Sequence, residues 1–214
     1  MSPPPALAIG CALLLGAASH WAQAQEVRRS QLGIDLGYAF PAGSAERGAD
    51  LSDVTFGIIE GGIDGAYRVH DRWSVGVAAH YGVAIPTLCS SSSECKASLG
   101  HDIRVGALGR VVVGRWGSFE PDAEVELGYE WFASKLVDSD VTSERKYRGV
   151  QATLRAHGGF ALTRAVFLGP SLEIGTGIFG HTALDAPGIH EDRSTEGTDV
   201  HLWLGAGIRA STAW

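Results

Sequence analysis

The sequence predicts an all-β fold, an eight-stranded antiparallel up-and-down transmembrane β-barrel, and three observations predict it. Eight stretches alternate with a period of two, one parity apolar and the other carrying glycine, small residues and most of the strand charges. The connections between them run long, short, long, short, long, short, long. The polar parity is too small and too charged for a plain water-facing surface, and reads as the inside of a narrow closed barrel.

The first strand is expected near Gln31–Phe40, with Leu32, Ile34, Leu36, Tyr38 and Phe40 opposite Gly33, Asp35, Gly37 and Ala39. After a long connection rich in turn formers, PAGSAERGADLSD, the second strand, near Thr55–Val69, sets Ile59, Ile63 and Tyr67 against Glu60, Gly62, Asp64, Ala66 and Arg68. A turn of His70-Asp71-Arg72 leads to the third, where Trp73, Val75, Val77, Ala79 and Tyr81 oppose Ser74, Gly76, Ala78 and His80. The fourth, near Leu99–Val111, turns Asp102, Arg104 and Arg110 away from Ile103, Val105 and Ala107.

A turn expected around Arg115 precedes the fifth strand, the clearest alternation in the chain. Phe119, Pro121, Ala123, Val125, Leu127, Tyr129 and Trp131 face Glu120, Asp122, Glu124, Glu126, Gly128 and Glu130. The sixth sets Val150, Ala152 and Leu154 against Gln151, Thr153, Arg155 and His157. The seventh carries Leu168, Leu172 and Ile174 opposite Ser171, Glu173 and Gly175, and Pro170, lacking a ladder donor, suggests a bulge. The eighth alternates Val200, Leu202, Leu204 and Ile208 with His201, Trp203, Gly205 and Arg209, and its parity continues to Trp214.

Each stretch reaches the ~9–11 residues that cross a bilayer at a tilt. An even strand number puts both termini on one side, so the long connections share the other side, as in transmembrane barrels. Aromatic residues gather near strand ends: Trp73, Trp116, Phe119 and Phe160 at the short turns, Tyr38, Phe40, Tyr81, Tyr129 and Trp131 at the long connections. These read as interfacial girdles. A charge on the lipid face near the midplane costs ~2–4 kcal/mol, and the central outward positions carry none. A soluble eight-stranded lipid-binding barrel would place its apolar parity inside; the loop asymmetry, the girdles and the terminal Trp214 speak against it.

Residues 6–18 form an uncharged apolar run followed by Ala22-Gln23-Ala24, the small-residue pattern a signal peptidase needs. Residues 1–24 are therefore expected to be a signal peptide cleaved after Ala24, and residues 25–214 the barrel domain. Met1 to Pro5 contains no Lys or Arg, unlike most such leaders. Cys11 follows Gly10, but Ala8 stands where a lipidation motif wants Leu. No later segment approaches the ~20 apolar residues of a membrane helix, so membrane passage requires a closed barrel that pairs every backbone polar group.

Gly at 29 residues against a single Met fits crowded interiors and tight turns, and the net charge of −7 without a basic stripe argues against nucleic acid as a partner. Cys89 and Cys95 share the polar stretch CSSSSEC in a chain bound for an oxidising compartment, so a disulfide is expected, contributing roughly 2 kcal/mol on the chain-entropy view. A metal pair is the alternative, with no further ligand at suitable spacing nearby. No cofactor is expected.

Taken together, the leader, eight strands, loop asymmetry and terminal aromatic resemble the small eight-stranded outer-membrane barrels of the OmpA/OmpX type, over the whole mature chain. The resemblance implies residence in the bacterial outer membrane, contact with its lipid and lipopolysaccharide, and passage through periplasmic chaperones and the barrel-assembly machinery. It also makes Trp214, with Ile208 and Leu204 at alternate positions before it, the assembly signal; Thr212 and Ala210 depart from the usual apolar pattern. No peptidoglycan-binding domain follows, unlike the two-domain members.

An eight-stranded barrel holds its own side chains or one small ligand. The inward charges Glu60, Asp64, Arg68, Asp102, Arg104, Arg110, Glu120, Glu124, Glu126, Arg155, Glu173 and Arg209 are therefore read as a packed ion-pair interior. A hairpin centred on Arg115 would set Arg110 opposite Glu120 and Arg104 opposite Glu126, leave Gly106 beside Glu124, and let Arg155 serve Glu124 or Glu130. The excess of inward acids would favour cations if the barrel conducted, which is the alternative reading. Enzyme patterns fit poorly. His157 points inward and is followed by Gly158-Gly159 rather than a serine two positions on, and lipid-facing His101 has Ile103 there. A palmitoyl-transfer barrel needs an apolar lumen. His181, Asp185, His190, Glu191 and Asp192 share the last connection, beside Asp199 and His201, yet a Gly- and Pro-containing loop gives no reason to hold two of them in hydrogen-bond reach. The expectation is a non-enzymatic barrel with a structural or surface-interaction role through four long loops, its extracellular ligand unspecified.

Overall fold

The computed structural model describes residues 29–46, 49–87, 95–138, 141–194 and 200–214, with side chains described except at 46, 49, 95–98, 136–138, 141–142 and 193–194. The expected signal peptide and Cys89 lie outside the described residues, and of Cys95 only the backbone is described.

Eight long strands close on one another: β1 (Ser30–Glu46), β3 (Thr55–Arg68), β4 (Trp73–Pro86), β5 (Cys95–Val112), β6 (Phe119–Asp138), β7 (Val141–Ala161), β8 (Val166–Ala186) and β10 (Val200–Ala213). Each pairs antiparallel with its neighbour in sequence order, and β10 pairs with both β8 and β1, which completes the cylinder. Three small elements lie at the end bearing the long connections: β2 (Ala49–Asp50), the one-turn α1 (Leu51–Val54) and β9 (Ile189–Ser194). At the seam Ser30 and Trp214 exchange backbone bonds of 3.1 and 3.0 Å, so the chain's last residue is tied to the start of β1, its indole exposed on the apolar outside.

The parity runs as the alternation requires. Leu36, Ile63, Val77, Leu127, Val150, Leu172 and Ile208 are 58–65% exposed, whereas Asp64, Arg104, Arg110, Glu124 and Arg155 are buried. Exposed Leu, Ile and Val in a continuous outer band, around a buried layer of ions, is the inverse of a water-soluble fold.

Three expectations need correction. The strands run further at the loop end than the alternation suggested: β1 reaches Glu46, β6 reaches Asp138, β7 begins at Val141 and β8 continues to Ala186. The outward positions turn charged there, with Lys135, Glu144, Lys146 and Arg148, so the hydrophobic period fades while backbone pairing between neighbours continues. Second, the β5–β6 hairpin turns at Gly117-Ser118, not at Arg115. Trp116 and Phe119 exchange backbone bonds across it, and Gly117 takes φ 63°, which a residue without Cβ adopts freely. With one extra residue on the β5 side between Val113 and Trp116, the ladder then sets Arg110 opposite Glu124, Arg104 opposite Glu130, and Gly106 opposite Gly128. Third, no bulge marks Pro170, because the β7–β8 register is the same on both sides, His157 with Ser171 and Phe160 with Leu168. Gly158 faces the ring, and a Cβ there would sit 3.5 Å from Pro170 Cγ, so the ring fits against a glycine surface. The register shift of this ladder falls between Arg148 and Gly149 instead.

Candidate functional site

The inward residues of β6 mark depth through the lumen, from Glu120 at the turn end to Phe132 at the loop end. Glu120 pairs with the exposed Arg115 at the rim rather than with Arg110. Asp122 accepts from His157 Nδ1 at 2.7 Å. Glu124 is 1% exposed and is shared by Arg110 and by Arg155 Nη1, the latter at 2.9 Å. Glu126 lies between Arg155 and His80 Nε2, which is 3.2 Å away. Strand β6 thus offers one carboxylate per inward position, interrupted by Gly128.

Four arginines knit that ladder to the rest of the wall. Arg155 also reaches Glu173 at 2.6 Å. Arg104 contacts Glu60, Asp102 at 3.1 Å and Glu173 at 2.8 Å. Arg110 donates to Asp64 at 2.7 Å, and Arg209 joins Asp35 at 2.8 Å to Asp64 at 2.6 Å. Arg68 stands half-buried at the turn end of β3, opposite Ser74. Glycines clear the space: a Cβ on Gly33 would collide with Arg209 Nη2, and one on Gly62 would collide with His80 Nδ1. A cavity of about 20 Å³ between Asp35, Glu60, His80, Arg155 and Glu173 has room for one water, which such polar walls would hold.

Arg155 does not serve Glu130 as the sequence had allowed. Glu130 is fully buried and accepts from His201 Nε2 at 2.7 Å and Trp203 Nε1 at 3.1 Å. Above it the lumen changes character. His201 stacks on Phe179 at 4.0 Å, and Phe132, Tyr147, Phe179, Trp203, Ile58 and Leu51 form a buried apolar cluster. Leu51, from α1, is completely enclosed, so the segment after β1 folds back as a plug. Sequence reasoning missed this layer because Leu51 lay in a stretch read as a connection, and Phe132, Tyr147 and Phe179 lay just beyond the strand residues assigned by the alternation. Their inward parity relative to the neighbouring strands is the signal that was available.

Two arrangements bear on catalysis. Asp122, His157 and Ser171 follow one another across three adjacent inward positions. Among the described residues, however, buried His157 Nε2 has no hydrogen-bond partner, so Ser171 is not held against a base. At the loop end the expectation of an unstructured last connection is overturned. Strands β8 and β9 pair in register, Asp185 with His190, which brings these two within hydrogen-bond reach. Asp185 also takes Lys146 Nζ at 3.0 Å. Hydrogen bonds from Lys146 and then His190 hold the Asp185 carboxyl below its ordinary range, while the bonds to Asp185 and Glu144 raise Lys146. An exposed carboxylate neutralised by a lysine is a surface ion pair and a poor general base. His201, expected beside that connection, is inside the barrel, and Asp199 lies outside the described residues.

No protein-family profile matches the sequence, and no curated protein matches it. Solved structures do. A major outer membrane protein from Thermus thermophilus superposes with a TM-score of 0.57 at 9% identity, over 86% of this chain and 99% of that one. Neisserial surface protein A gives 0.52 at 14% identity, over 84% and 95%. The outer membrane protein OprG from Pseudomonas aeruginosa gives 0.52 at 12% identity, over 90% and 99%. With the closed eight-stranded cylinder and its apolar outer band, these likenesses define the class: the chain has the fold of the small eight-stranded outer-membrane β-barrels.

Proposed function

We propose that this chain is a non-enzymatic integral protein of the bacterial outer membrane that uses its loop end as a contact surface outside the cell. The observation that carries the reading is the wall of strand that rises past the outer aromatic residues. From Trp131, β6 runs on to Asp138, about 20 Å of further strand, paired throughout with β7. Strands β7, β8 and β9 continue alongside. Ile189–Ser194 of β9 pairs with β8 on one side, and among the described residues no strand pairs with its other edge. An open edge offers backbone donors and acceptors to an extended segment of another protein.

The aromatic plug and the filled ion-pair layer support a closed barrel rather than a channel. In this reading the leader is removed after Ala24, Cys89 and Cys95 form a disulfide that restrains the second long connection, and the chain reaches the membrane through periplasmic chaperones and the assembly machinery. Deleting residues 187–194 and, separately, each other long connection tests it in cells, with adhesion to a host-cell monolayer and phage sensitivity as readouts. Loss of either with one deletion supports the reading. Unchanged behaviour in all deletion strains, each with normal surface levels, overturns it.

A further inference from the structure

On the lipid-facing side, β5 to β8 carry a groove of about 750 Å³. Its floor is the small pair Ala152 and Thr176, adjacent on β7 and β8, and its walls are Leu127 on the same rung, Tyr129 and Ile178. The rung above pairs Tyr129 with Val150, and the next pairs Trp131 with Arg148. Two strand residues span about 7 Å, so the Arg148 guanidinium stands at headgroup distance from an acyl chain lying in the groove.

Among the described side chains, the loop-end cations with lipid-facing parity are Lys135, Lys146 and Arg148, all on β6 and β7 directly above this groove. Acids are present too. Lys146 is held by Glu144 at 3.4 Å and by Asp185, so it is engaged, whereas Arg148 meets Asp192 only at 4.0 Å. Arg148 is about half exposed, its side chain at 46%. It can therefore turn toward a stronger anion, and a planar guanidinium suits the oxygens of a phosphate.

We propose that the groove and Arg148 together form a binding site for one phosphorylated, multiply acylated glycolipid of the outer leaflet, an acyl chain lying over Ala152 and Thr176 and a phosphate on Arg148. The site rests on the orientation proposed above, with the loop end outside the cell. Its apolar part is a depression in an otherwise convex barrel wall. Its polar part coincides with the loop-end lipid-side cations. Neither feature alone would single out a lipid; their stacking on consecutive rungs does.

The test is native mass spectrometry of the purified full chain in mild detergent with diphosphoryl lipid A, its fully dephosphorylated form and phosphatidylglycerol as probes. One diphosphoryl lipid A is expected to be retained, at least about tenfold more strongly than the dephosphorylated form, the effect of one charge-assisted hydrogen bond. Arg148→Ala should remove that preference while the folded, heat-modifiable gel band persists, and Ala152→Trp should weaken retention of every acylated probe. Equal retention of both lipid A forms, no effect of either folded variant, or a second copy of the chain in place of lipid overturns the site. Orientation is read separately with Lys135→Cys in a Cys89→Ser, Cys95→Ser background, exposed to membrane-impermeant maleimide on intact cells. Labelling with no lipid preference defeats the lipid site alone, and absence of labelling on folded protein defeats the orientation.

Discussion

His201 Nε2 lies 2.7 Å from Glu130 Oε2, both side chains wholly enclosed and joined across the lumen by residues 71 positions apart in the chain. The pair sits where the ionic interior meets the aromatic plug, since His201 stacks on Phe179 and Trp203 Nε1 donates to the same glutamate at 3.1 Å. Replacing Glu130 by Ala strands two buried donors. Unpartnered buried groups cost about 1–3 kcal/mol each, so urea unfolding in lipid vesicles should show a loss of about 3 kcal/mol. A loss below about 0.5 kcal/mol, the level of an ordinary surface change, would mean the contact does not hold the layers together.

Arg155 is the hub of the deeper layer, touching Glu124, Glu126 and Glu173. Arg155→Met keeps much of the volume and removes the charge, leaving three carboxylates crowded in a site with little water. Breaking a buried ion pair from one side costs about 3–5 kcal/mol, and the same unfolding assay should report a change of that size. Glu173→Gln should cost less, because Arg155 keeps two acidic partners and Arg104 keeps Glu60 and Asp102.

Val125 and Glu124 are neighbours with opposite fates, 50% and 1% exposed. Val125→Arg places a charge against hydrocarbon and should cost about 2–4 kcal/mol. Spin labels at the two positions give the direct reading: the label at 125 should be relaxed by a lipid-soluble paramagnetic reagent, and the label at 124 should be shielded. The reverse pattern is incompatible with this barrel.

Asp185 should titrate below the ordinary aspartate value of about 3.9, because Lys146 and His190 donate to its charged form. A depressed carboxyl contributes its stabilisation above its unfolded pKa and loses it as pH falls through the lowered folded value. The β8–β9 extension should therefore keep this contact at neutral pH and lose it only in strong acid. Carbonyl NMR of Asp185 tests this, and Lys146→Met should move the titration back toward the ordinary value. No movement would remove Lys146 as the cause.

In planar bilayers the purified chain should show no discrete conductance steps, because Phe132, Tyr147, Phe179 and Trp203 close the loop end of the lumen above the arginine layer. Reproducible steps at high salt from folded protein would defeat the closed-barrel reading.

The alternation determined the strand number and which residues share a face, since a period of two leaves each side chain a choice of only two faces. The loop asymmetry, the aromatic girdles and Trp214 then decided which face meets lipid and which encloses the charges. Val125 and Glu124 could be placed on opposite faces with no knowledge of their cross-strand partners. Which acid meets which base was another matter. Arg110 meets Glu124 because the turn falls at Gly117-Ser118 and one extra residue lies on the β5 side between Val113 and Trp116, backbone choices that together set the whole β5–β6 register. His201 meets Glu130, and Leu51 meets Phe132, only because closure of the cylinder brings distant strands and a returning segment into one cross-section. Local pattern determines which face a residue takes, whereas register and barrel closure are long-range, and they alone decided the ion-pair partners, the plug and the groove beneath Arg148.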